Sequence, residues 1–261
     1  MSRRQGEEDM FDLSGKRAVV IGGTGVLGSQ FARCLAKAGA EVVLLGRSTE
    51  RGNAVVEELN LAGHKSSFIK VDVLLRDELV KAAEITLKLG GIDILVNAAG
   101  VNSRTPFLEM KDDEWNSLID VNLGSVFRAC QIFASQMSSR IDGASIINIS
   151  SASSGPPISK VFAYAAAKAG INNLTQFLAR EFAPVGIRVN AIIPGFFPAE
   201  QNRALLTKER IDDIIRHTPM KRLGDSHEIN GTVLWLASEK ASGFVTGALI
   251  PVDGGFLAMT I

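Results

Sequence analysis

Short apolar runs rich in β-branched residues alternate with longer segments of helical period along most of this chain. The short runs predict strands and the longer segments predict helices. Such alternation is typical of βαβ units, so the pattern predicts an α/β fold with a doubly wound parallel sheet of about seven strands and helices on both faces. The predicted strands are Ala18–Ile21, Glu41–Leu45, Ser67–Val71, Ile92–Val96, Ala144–Ile149, Arg188–Ile193 and Ala248–Val252, and helical patterns begin near Gly25, Glu50, Arg76, Asp112, Val161 and Asp225.

We predict one domain, because no repeat, low-complexity tract or Pro/Ser linker divides this series. Residues 1–10 are expected to form a flexible tail and residues 11–261 the domain. The rhythm breaks at about residues 196–222, which follow a Pro194-Gly195 turn and contain a short amphipathic pattern around Arg203–Arg216. Long insertions in compact domains are often lids, so this segment is predicted to be a lid.

Two predicted helical segments carry little charge. The segment between residues 120 and 140 contains only Arg128, and the 23 residues of Val161–Ala183 contain only Lys168, Arg180 and Glu181. A helix with so little polar surface is buried on more than one face. A deep core and burial against a second subunit both explain this, and we favour the subunit because helices that flank an open sheet normally keep one wet face.

Composition and charge narrow the classes of function. The 261 residues contain 28 Lys and Arg against 28 Asp and Glu without a basic block, which removes the electrostatic basis for binding nucleic acid. No uncharged apolar run approaches the ~20 residues of a membrane helix, and the first residues do not resemble a signal peptide. The two cysteines and three histidines match no disulfide, redox or metal spacing. We therefore expect a cytoplasmic protein that binds no nucleic acid, membrane or metal.

A glycine-rich turn follows the first predicted strand. Ala18–Ile21 runs directly into Gly22, Gly23, Thr24, Gly25, Val26, Leu27 and Gly28, and a helical pattern follows. Free backbone N–H groups and the helix dipole then point at one place, where glycines let the backbone approach a pyrophosphate. Such turns also serve purely as loops, but the position after the first strand of a βαβ unit favours nucleotide binding.

The end of the second predicted strand distinguishes between nicotinamide dinucleotides. An acidic residue there binds the ribose 2′-OH of NAD, whereas an arginine accommodates the 2′-phosphate of NADP. Here Leu45 is followed by Gly46, Arg47 and Ser48, with no carboxylate. We predict NADP(H), with Arg47 on the phosphate and Ser48 as a second donor. The alternatives are a solvated surface arginine and the use of NAD(H).

The candidate catalytic residues come from several elements. Tyr164 and Lys168 are four residues apart and so share one helix face. Ser151 lies 13 residues before the tyrosine, at the end of a predicted strand, and Asn122 lies in Asp120-Val121-Asn122-Leu123. The motif Tyr-x-x-x-Lys is common by chance and is informative only together with the other motifs. Besides Ser151 and Asn122, these are Asn97 to Gly100, Pro194-Gly195 and Val252-Asp253-Gly254-Gly255.

With these motifs in this order, the sequence resembles the short-chain dehydrogenase/reductase family, in its compact single-domain branch, from about Phe11 to Phe256. The resemblance implies a Rossmann-like fold and a catalytic tetrad of Asn122, Ser151, Tyr164 and Lys168. The usual Thr-Gly-x-x-x-Gly-x-Gly turn has Ile21 in place of the threonine and Val26 in place of the middle glycine. The resemblance also implies cofactor contacts at Asp72, Val73, Asn97, Ala98, Ala99, Gly100, Tyr164, Lys168, Pro194, Gly195 and Phe197.

The chemistry that the tetrad implies is acid–base catalysis with hydride transfer. A free phenol, with a pKa of ~10, is a poor base near neutrality, and an ammonium nearby lowers that pKa. Tyr164 would exchange a proton with the alcohol or carbonyl oxygen, Ser151 would hold that oxygen, and Lys168 would bind the nicotinamide ribose. Asn122 would anchor a water that links Lys168 to solvent.

Three stretches resemble two branches of the family that act on sugar acids. Residues 22–28 and 194–203 are similar to the fructuronate reductase (D-mannonate oxidoreductase) group, and residues 102–107 to gluconate 5-dehydrogenases. A carboxylate needs a cation, for which Arg104 and Arg203 are the candidates besides solvated loop arginines. We predict NADPH-dependent reduction of a keto sugar acid. The alternatives are a 3-oxoacyl-[acyl-carrier-protein] reductase and a non-catalytic NADP-binding regulator or scaffold. The family resemblance implies a homotetramer, or a homodimer.

Overall fold

The chain folds around one parallel sheet. In a computed structural model, which describes residues 9–138, 143–158, 161–197 and 207–259, seven parallel strands pair in the order β3-β2-β1-β4-β5-β6-β7. This confirms the predicted fold, and every predicted strand lies within two residues of an observed one. The strands are β1 Arg17–Ile21, β2 Glu41–Gly46, β3 Ser66–Lys70, β4 Ile94–Asn97, β5 Ala144–Ile149, β6 Ile187–Pro194 and β7 Leu249–Val252.

Helices cover both faces of the sheet. One hydrophobic layer contains buried residues of α1, α2 and α8, and the layer on the opposite face contains those of α3, α5 and α6. The central strands are buried on both faces, which explains their nearly continuous apolar sequences. The helices are α1 Val26–Lys37, α2 Thr49–Leu61, α3 Arg76–Lys88, α4 Asp112–Ile119, α5 Ser125–Met137, α6 Phe162–Phe182, α7 Lys208–His217, α8 Asn230–Ala237 and α9 Glu239–Ser242.

The strand order reverses between β1 and β4, since β2 and β3 lie to one side of β1 and the later strands to the other. Ligands of open α/β sheets bind at such a reversal, in the crevice beyond the carboxyl ends of the strands. The glycine-rich turn after β1 and residues 98–100 after β4 meet at this crevice, because the β1–β4 pairing aligns Ile21 with Asn97.

The helix expected near Asp225 begins five residues later, at Asn230. The Asp225 N–H donates to Oε2 of Glu228 at 2.7 Å, and the Arg222 guanidinium donates to both carboxylate oxygens of Glu228, each at 2.7 Å. These contacts hold residues 225–228 in a turn. The stretch before α5 also differs from a regular helix, because Asp120–Gly124 forms a π-helical turn between α4 and α5.

Part of the predicted lid and tail lies outside the described residues, namely residues 198–206 and 1–8. The predicted amphipathic helix around Arg203–Arg216 is represented by α7, which begins at Lys208. At the other end of the chain, Ser238 Oγ donates a hydrogen bond to the carbonyl oxygen of Met10. Among the helices within the described ranges, none is long and apolar enough to cross a membrane.

Candidate active site

A cavity of about 340 Å³ lies at the carboxyl ends of the strands, on the crevice that the strand order predicts. It brings together residues from the β1–α1 turn, the loops after β4, β5 and β6, and α6. Three of the four expected tetrad residues line it: Ser151, Tyr164 and Lys168. The expected cofactor residues Val26, Leu27, Ala98, Ala99, Gly100, Pro194, Gly195 and Phe197 also line it, and so do Val101, Asn102, Ile149, Ser150, Phe196, Leu223 and Ser226, which the sequence reasoning did not assign.

The glycine-rich turn is built by close backbone approaches. Gly22 has a φ of 78°, and a Cβ there would lie 2.6 Å from the amide nitrogen of Ala99. A Cβ on Gly28 would collide with the carbonyl oxygen of Gly22. Within the described residues no side chain caps α1, so the amides of its first turn, including Val26 and Leu27, stay available for an anion. Val26 therefore does not disrupt the turn: it is the first residue of α1.

The end of β2 lies beside this turn. A Cβ on Gly46 would lie 2.7 Å from Thr24 Oγ1, so the glycine lets Thr24 pack against the strand end. Arg47 follows and is exposed. The Ser48 hydroxyl accepts a hydrogen bond from the Arg51 N–H at 3.3 Å and so caps α2. Ser48 therefore has a structural role that the sequence reasoning did not assign to it.

Other expected cofactor residues lie outside the described lining of the cavity. Asn97 is buried, and its Nδ2 donates to Oδ1 of Asn148 at 2.8 Å within the sheet. The Asp72 carboxylate accepts the Leu74 N–H at 3.0 Å. The Val73 carbonyl oxygen accepts a hydrogen bond from Nε of Arg128 at 3.3 Å. None of Asn97, Asp72 and Val73 belongs to the described lining of the cavity.

Tyr164 lies in the first turn of α6, and Ser151 lies just after β5. Burial raises the pKa of the Tyr164 phenol, and the hydrogen bond between Tyr164 and Ser151 opposes that rise. Ser151 Oγ also accepts a hydrogen bond from Ser153 Oγ at 3.0 Å. The sequence predicts that Lys168 lowers the pKa of Tyr164, but in the protein chain without a cofactor burial outweighs any such effect and the pKa is raised.

Lys168 is 3% exposed, and its Nζ donates to the carbonyl oxygen of Ile149 at 2.8 Å. The Nζ also lies 5.4 Å from the centroid of the Tyr164 ring. Burial lowers the pKa of the Lys168 ammonium to about 8. An ammonium that is removed from water without a counter-charge loses solvation, and this loss favours the neutral amine.

Asn122 is fully buried in the π-helical turn and lies behind the cavity. Its Nδ2 donates to the carbonyl oxygens of Val101 and Leu118, both at 2.8 Å, and its Oδ1 accepts the Val101 N–H at 3.2 Å. A Cβ on Gly100 would lie 2.9 Å from this Oδ1 and 3.6 Å from the Lys168 Nζ. Gly100 therefore keeps a narrow space open between the asparagine and the lysine, which suits the predicted water.

The candidate cations for a substrate carboxylate do not gather at the cavity. Arg104 is exposed and lies outside the described lining, and Arg203 lies outside the described residues. A second cavity of about 580 Å³ shares Phe196 with the first and is lined by Arg210, Asp213, Arg216 and His217 of α7, besides apolar residues. The Asp213 carboxylate pairs with Arg216 and not with Arg210. Arg210 is half-buried at this cavity. It is not among the site residues predicted from the sequence, although it lies in the amphipathic pattern of the predicted lid helix.

The chain fits a dinucleotide with respect to charge and shape. An uncapped helix N terminus, a glycine turn that excludes side chains and an exposed arginine after β2 lie along one crevice. The crevice ends at a phenol, a hydroxyl and a buried ammonium, a set able to move a proton and to hold an oxyanion. Within the described ranges, no cluster of His, Cys, Asp or Glu could hold a metal ion.

Comparisons with known proteins agree with this geometry. A family model described as enoyl-(acyl carrier protein) reductase matches residues 24–257. The uncharacterized oxidoreductase UxuB of Bacillus subtilis is 43% identical over 95% of this chain and 96% of its own length. A 2-dehydro-3-deoxy-D-gluconate 5-dehydrogenase of Formosa agariphila is 39% identical over 96% of both chains. A 3-oxoacyl-[acyl-carrier-protein] reductase of Staphylococcus epidermidis is 37% identical over 92% of this chain and 98% of its own.

Solved structures share the whole fold. A Burkholderia cenocepacia gluconate 5-dehydrogenase in complex with NADP and tartrate covers 97% of this chain and 99% of its own, with a TM-score of 0.92 and 35% identity. A Haemophilus influenza structure of a candidate D-mannonate oxidoreductase with bound NAD covers 95% of this chain and 97% of its own, with a TM-score of 0.90 and 35% identity. The chain therefore belongs to the short-chain dehydrogenase/reductase family and is an NAD(P)-dependent oxidoreductase that acts on CH–OH groups.

Proposed function

We propose that this enzyme reduces a keto sugar acid to a hydroxy acid with NADPH and catalyses the reverse oxidation. The observation that carries the reaction class is that the side chains of Ser151, Tyr164 and the buried Lys168 line one cavity. A phenol beside a hydroxyl can bind and protonate one carbonyl oxygen, and the ammonium supplies positive charge without a competing carboxylate.

In this proposal each side chain acts at a stated atom. The Tyr164 hydroxyl donates its proton to the carbonyl oxygen during reduction and accepts the alcohol proton during oxidation. Ser151 donates a hydrogen bond to the same oxygen and stabilises its developing negative charge. Lys168 binds the nicotinamide ribose and favours the phenolate, while Asn122 anchors a water that returns protons from solvent. The nicotinamide, when bound, supplies or accepts the hydride.

The cofactor preference is proposed from Arg47. The exposed guanidinium after β2 suits a 2′-phosphate, and the described end of β2 carries no carboxylate for a 2′-OH. The free amides of Val26 and Leu27 in the first turn of α1 would hold the pyrophosphate, and Asp72 and Val73 would contact the adenine. Arg47→Ala should raise the KM for NADPH by about tenfold and change that for NADH little, since one charge-assisted contact is lost. Equal effects on both cofactors would contradict the preference.

The sugar-acid substrate is proposed from the relatives and from the second cavity. Two of them are named for gluconate derivatives, and one structure holds tartrate, a hydroxylated dicarboxylate. Arg210 supports a carboxylate subsite beside Phe196, and Arg104 and Arg203 remain further candidates. Arg210→Ala should raise the KM for the acid by about tenfold and leave kcat nearly unchanged. Arg104→Ala tests the second candidate in the same assay, and Arg33→Ala, which removes a surface arginine paired with Glu58, is the matched control.

A substrate panel tests the proposal. Purified enzyme is assayed with NADPH and NADH against 5-keto-gluconate, fructuronate, the matching neutral keto sugars, an acetoacetyl thioester and a hydrophobic ketone. We expect turnover of a keto acid and much weaker turnover of its neutral analogue, with Tyr164→Phe as the inactive control. Turnover of only thioesters or hydrophobic ketones would replace the proposal with the carrier-protein reductase. No turnover despite tight NADPH binding would favour a non-catalytic regulator.

The predicted lid and domain limits belong to the same proposal. We propose that residues 196–222 form a lid on a domain spanning residues 11–261, because Phe196 and Phe197 line the catalytic cavity and α7 lines the adjoining one. Residues 1–8 of the predicted tail lie outside the described residues, and Met10 is hydrogen-bonded to Ser238. The free thiols of Cys34 and Cys130 are both buried, and a cytoplasmic location remains a proposal.

The proposed assembly is a homotetramer, or a homodimer. Phe127 of α5 and Phe177 of α6 are 48% and 59% exposed, and both line an apolar depression of about 590 Å³ between these helices. Large exposed aromatic side chains on two charge-poor helices support burial against a second copy. Light scattering should give a multiple of the 27.9 kDa chain mass. A monomer would contradict the proposal, and Phe177→Glu should shift the mass downward.

A further inference from the structure

We infer that Arg128 is a positioning residue, which holds the π-helical turn that carries Asn122 and ties this turn to the loop after β3. This inference rests on the proposed function, in which Asn122 anchors the proton-relay water. It assigns a role to the one charged side chain that the sequence places between residues 120 and 140.

The π-helical turn needs external support. A π turn contains an extra residue and interrupts the regular hydrogen-bond ladder of a helix. Here the turn spans Asp120–Gly124, between α4 and α5, and buries the side chain of Asn122 completely. The Asn122 amide binds the main chain of Val101 and Leu118 through three hydrogen bonds. A shift of the turn would therefore move Asn122 relative to the Val101 backbone.

Arg128 supplies support from the opposite side of the turn. Its Nη1 donates to Asp120 Oδ1 at 2.8 Å, and its Nη2 lies 3.4 Å from the Asp120 carbonyl oxygen. One guanidinium therefore binds both the side chain and the main chain of the first residue of the turn. The side chains of Arg128 and Asp120 are 16% and 47% exposed, so the guanidinium side of this pair is shielded from water more than in a typical surface ion pair.

The sequence of the turn is fitted to this pair. Asp120, Gly124 and Arg128 follow at intervals of four residues and lie along one helical face. A Cβ on Gly124 would collide with Asp120 Oδ1 and would lie 3.4 Å from Arg128 Nη1. The space above Gly124 is therefore occupied by the ion pair. A glycine inside a helix is costly, and this packing gives it a reason.

Arg128 also reaches the cofactor side of the site. Its Nε donates to the carbonyl oxygen of Val73 at 3.3 Å, and Val73 follows Asp72, the proposed adenine contact. The guanidinium thus connects the loop at the adenine end of the crevice with the turn that carries Asn122. An arginine in an ordinary surface ion pair contacts one partner residue. Arg128 instead contacts two segments, at Val73 and at Asp120, which are 47 residues apart in the chain.

Hydrogen exchange tests the support directly, without any substrate. Full-length wild type, Arg128→Met, Arg128→Lys and the control Arg33→Met are compared by mass spectrometry on peptides covering residues 118–125. Arg33 forms a surface pair with Glu58 at 2.7 Å and is far along the chain from this turn. We expect exchange in this segment to rise by about tenfold in Arg128→Met and less in Arg128→Lys, with no change in the control. Unchanged exchange in Arg128→Met would overturn the inference.

Kinetics test whether the effect passes through Asn122. Arg128→Met should lower kcat by about tenfold and shift its pH profile, while the KM for NADPH rises by about threefold. In the Asn122→Ala background the same substitution should lower kcat by less than about twofold, because the group it positions is already absent. Multiplicative losses would overturn the role assigned to Arg128. Should Arg128→Met fail to fold, Asp120→Asn removes the same ion pair with little change of shape and carries the same expectations.

The two tests separate this inference from the proposed function. Exchange of residues 118–125 needs neither substrate nor turnover, so its response to Arg128→Met reports on the positioning alone. If the wild-type enzyme reduces no keto sugar acid, the proposed function fails. The exchange result still decides whether Arg128 holds the π-helical turn. If the keto acid is reduced but exchange is unaffected, the proposed function stands and Arg128 is a surface ion pair.

Discussion

The two ends of the parallel sheet each contain a buried cation, and the two cations differ in their hydrogen-bond partners. At the amino end, Arg188 is the second residue of β6 and is 6% exposed. Its Nε donates a hydrogen bond to Glu239 Oε2 at 2.8 Å, and its Nη2 donates to the carbonyl oxygen of Leu236 at 2.9 Å. At the carboxyl end, Lys168 is 3% exposed and donates to a single carbonyl oxygen. Within the described residues no carboxylate pairs with Lys168.

The difference separates a structural cation from a functional one. Burying a charge is costly unless it is paired, and the lowered pKa of Lys168 is the sign of that cost. A carboxylate partner would remove the cost, but it would also neutralise the charge that the phenol and the cofactor ribose use in the proposed mechanism. Of these two buried cations, Arg188 is paired with Glu239 and lies away from the crevice, whereas Lys168 lies in the crevice and has no carboxylate partner among the described residues.

Replacing Lys168 should give the largest effect. We expect Lys168→Met to lower kcat by about 10³-fold, since acid–base groups contribute roughly 10²–10⁴-fold. The same substitution should raise the free energy of unfolding at pH 7 by about 1–2 kcal/mol, because a buried unpaired charge is removed while one hydrogen bond is lost. Steady-state kinetics and denaturant unfolding measure the two changes. A loss of both activity and stability would mean that Lys168 is a structural cation.

Replacing Arg188 should give the opposite combination. Arg188→Ala should lower the free energy of unfolding by about 3 kcal/mol, because it leaves Glu239 without its partner and removes the buried stem of the arginine. Activity of the folded fraction should stay within about twofold of the wild type, because no reacting group depends on this residue. A large fall in kcat with unchanged stability would break the distinction between the two ends.

The free energies of unfolding of the wild type and of Lys168→Met should depend on pH in different ways. The folded pKa of Lys168, about 8, lies below the model-peptide value of 10.5, so the unfolded chain binds more protons between these values. Wild-type stability should therefore rise with pH through this window, relative to Lys168→Met, by about 2 kcal/mol. Comparing the two variants cancels the contributions of groups that both share, including Cys34 and Cys130. A difference that does not change with pH would contradict the burial of an unpaired ammonium.

The smallest effect is expected at the surface. Arg33 binds Glu58 with Nη2 to Oε2 at 2.7 Å, but the two side chains are 28% and 55% exposed. Arg33→Met should change the free energy of unfolding by less than about 1 kcal/mol and leave kcat unchanged, because exposed ion pairs contribute little. An effect as large as that of Arg188→Ala would show that pairing alone, and not burial, determines the loss.

Most of the fold could be predicted because its signals are local. Strands such as Ala144–Ile149 are buried on both faces, so their sequences are continuous apolar runs with clear ends. Glycines such as Gly22 and Gly28 mark positions where no side chain fits, and they identify the turn without knowledge of the fold. The tetrad could be predicted because the spacing of Tyr164 and Lys168 on one helix face is also local.

The remaining features depend on contacts between distant segments. The π-helical turn is supported by Arg128 together with Val73, 55 residues away in the chain, and no period in the sequence indicates it. The start of α8 is delayed by the Arg222–Glu228 pair. The raised pKa of Tyr164 follows from burial, which spacing does not report. The position of Arg210 beside the second cavity depends on how α7 packs.

Titration of the single tyrosine, Tyr164, tests the central claim most directly, because every phenolate signal of the native protein comes from that residue. Ultraviolet absorbance is followed against pH with and without NADP⁺, using Tyr164→Phe as the baseline. We predict a midpoint above the ordinary ~10 for the cofactor-free protein and a midpoint well below ~10 with NADP⁺, and we predict that Lys168→Met removes most of this fall. A midpoint that NADP⁺ leaves unchanged would contradict the acid–base role of Tyr164.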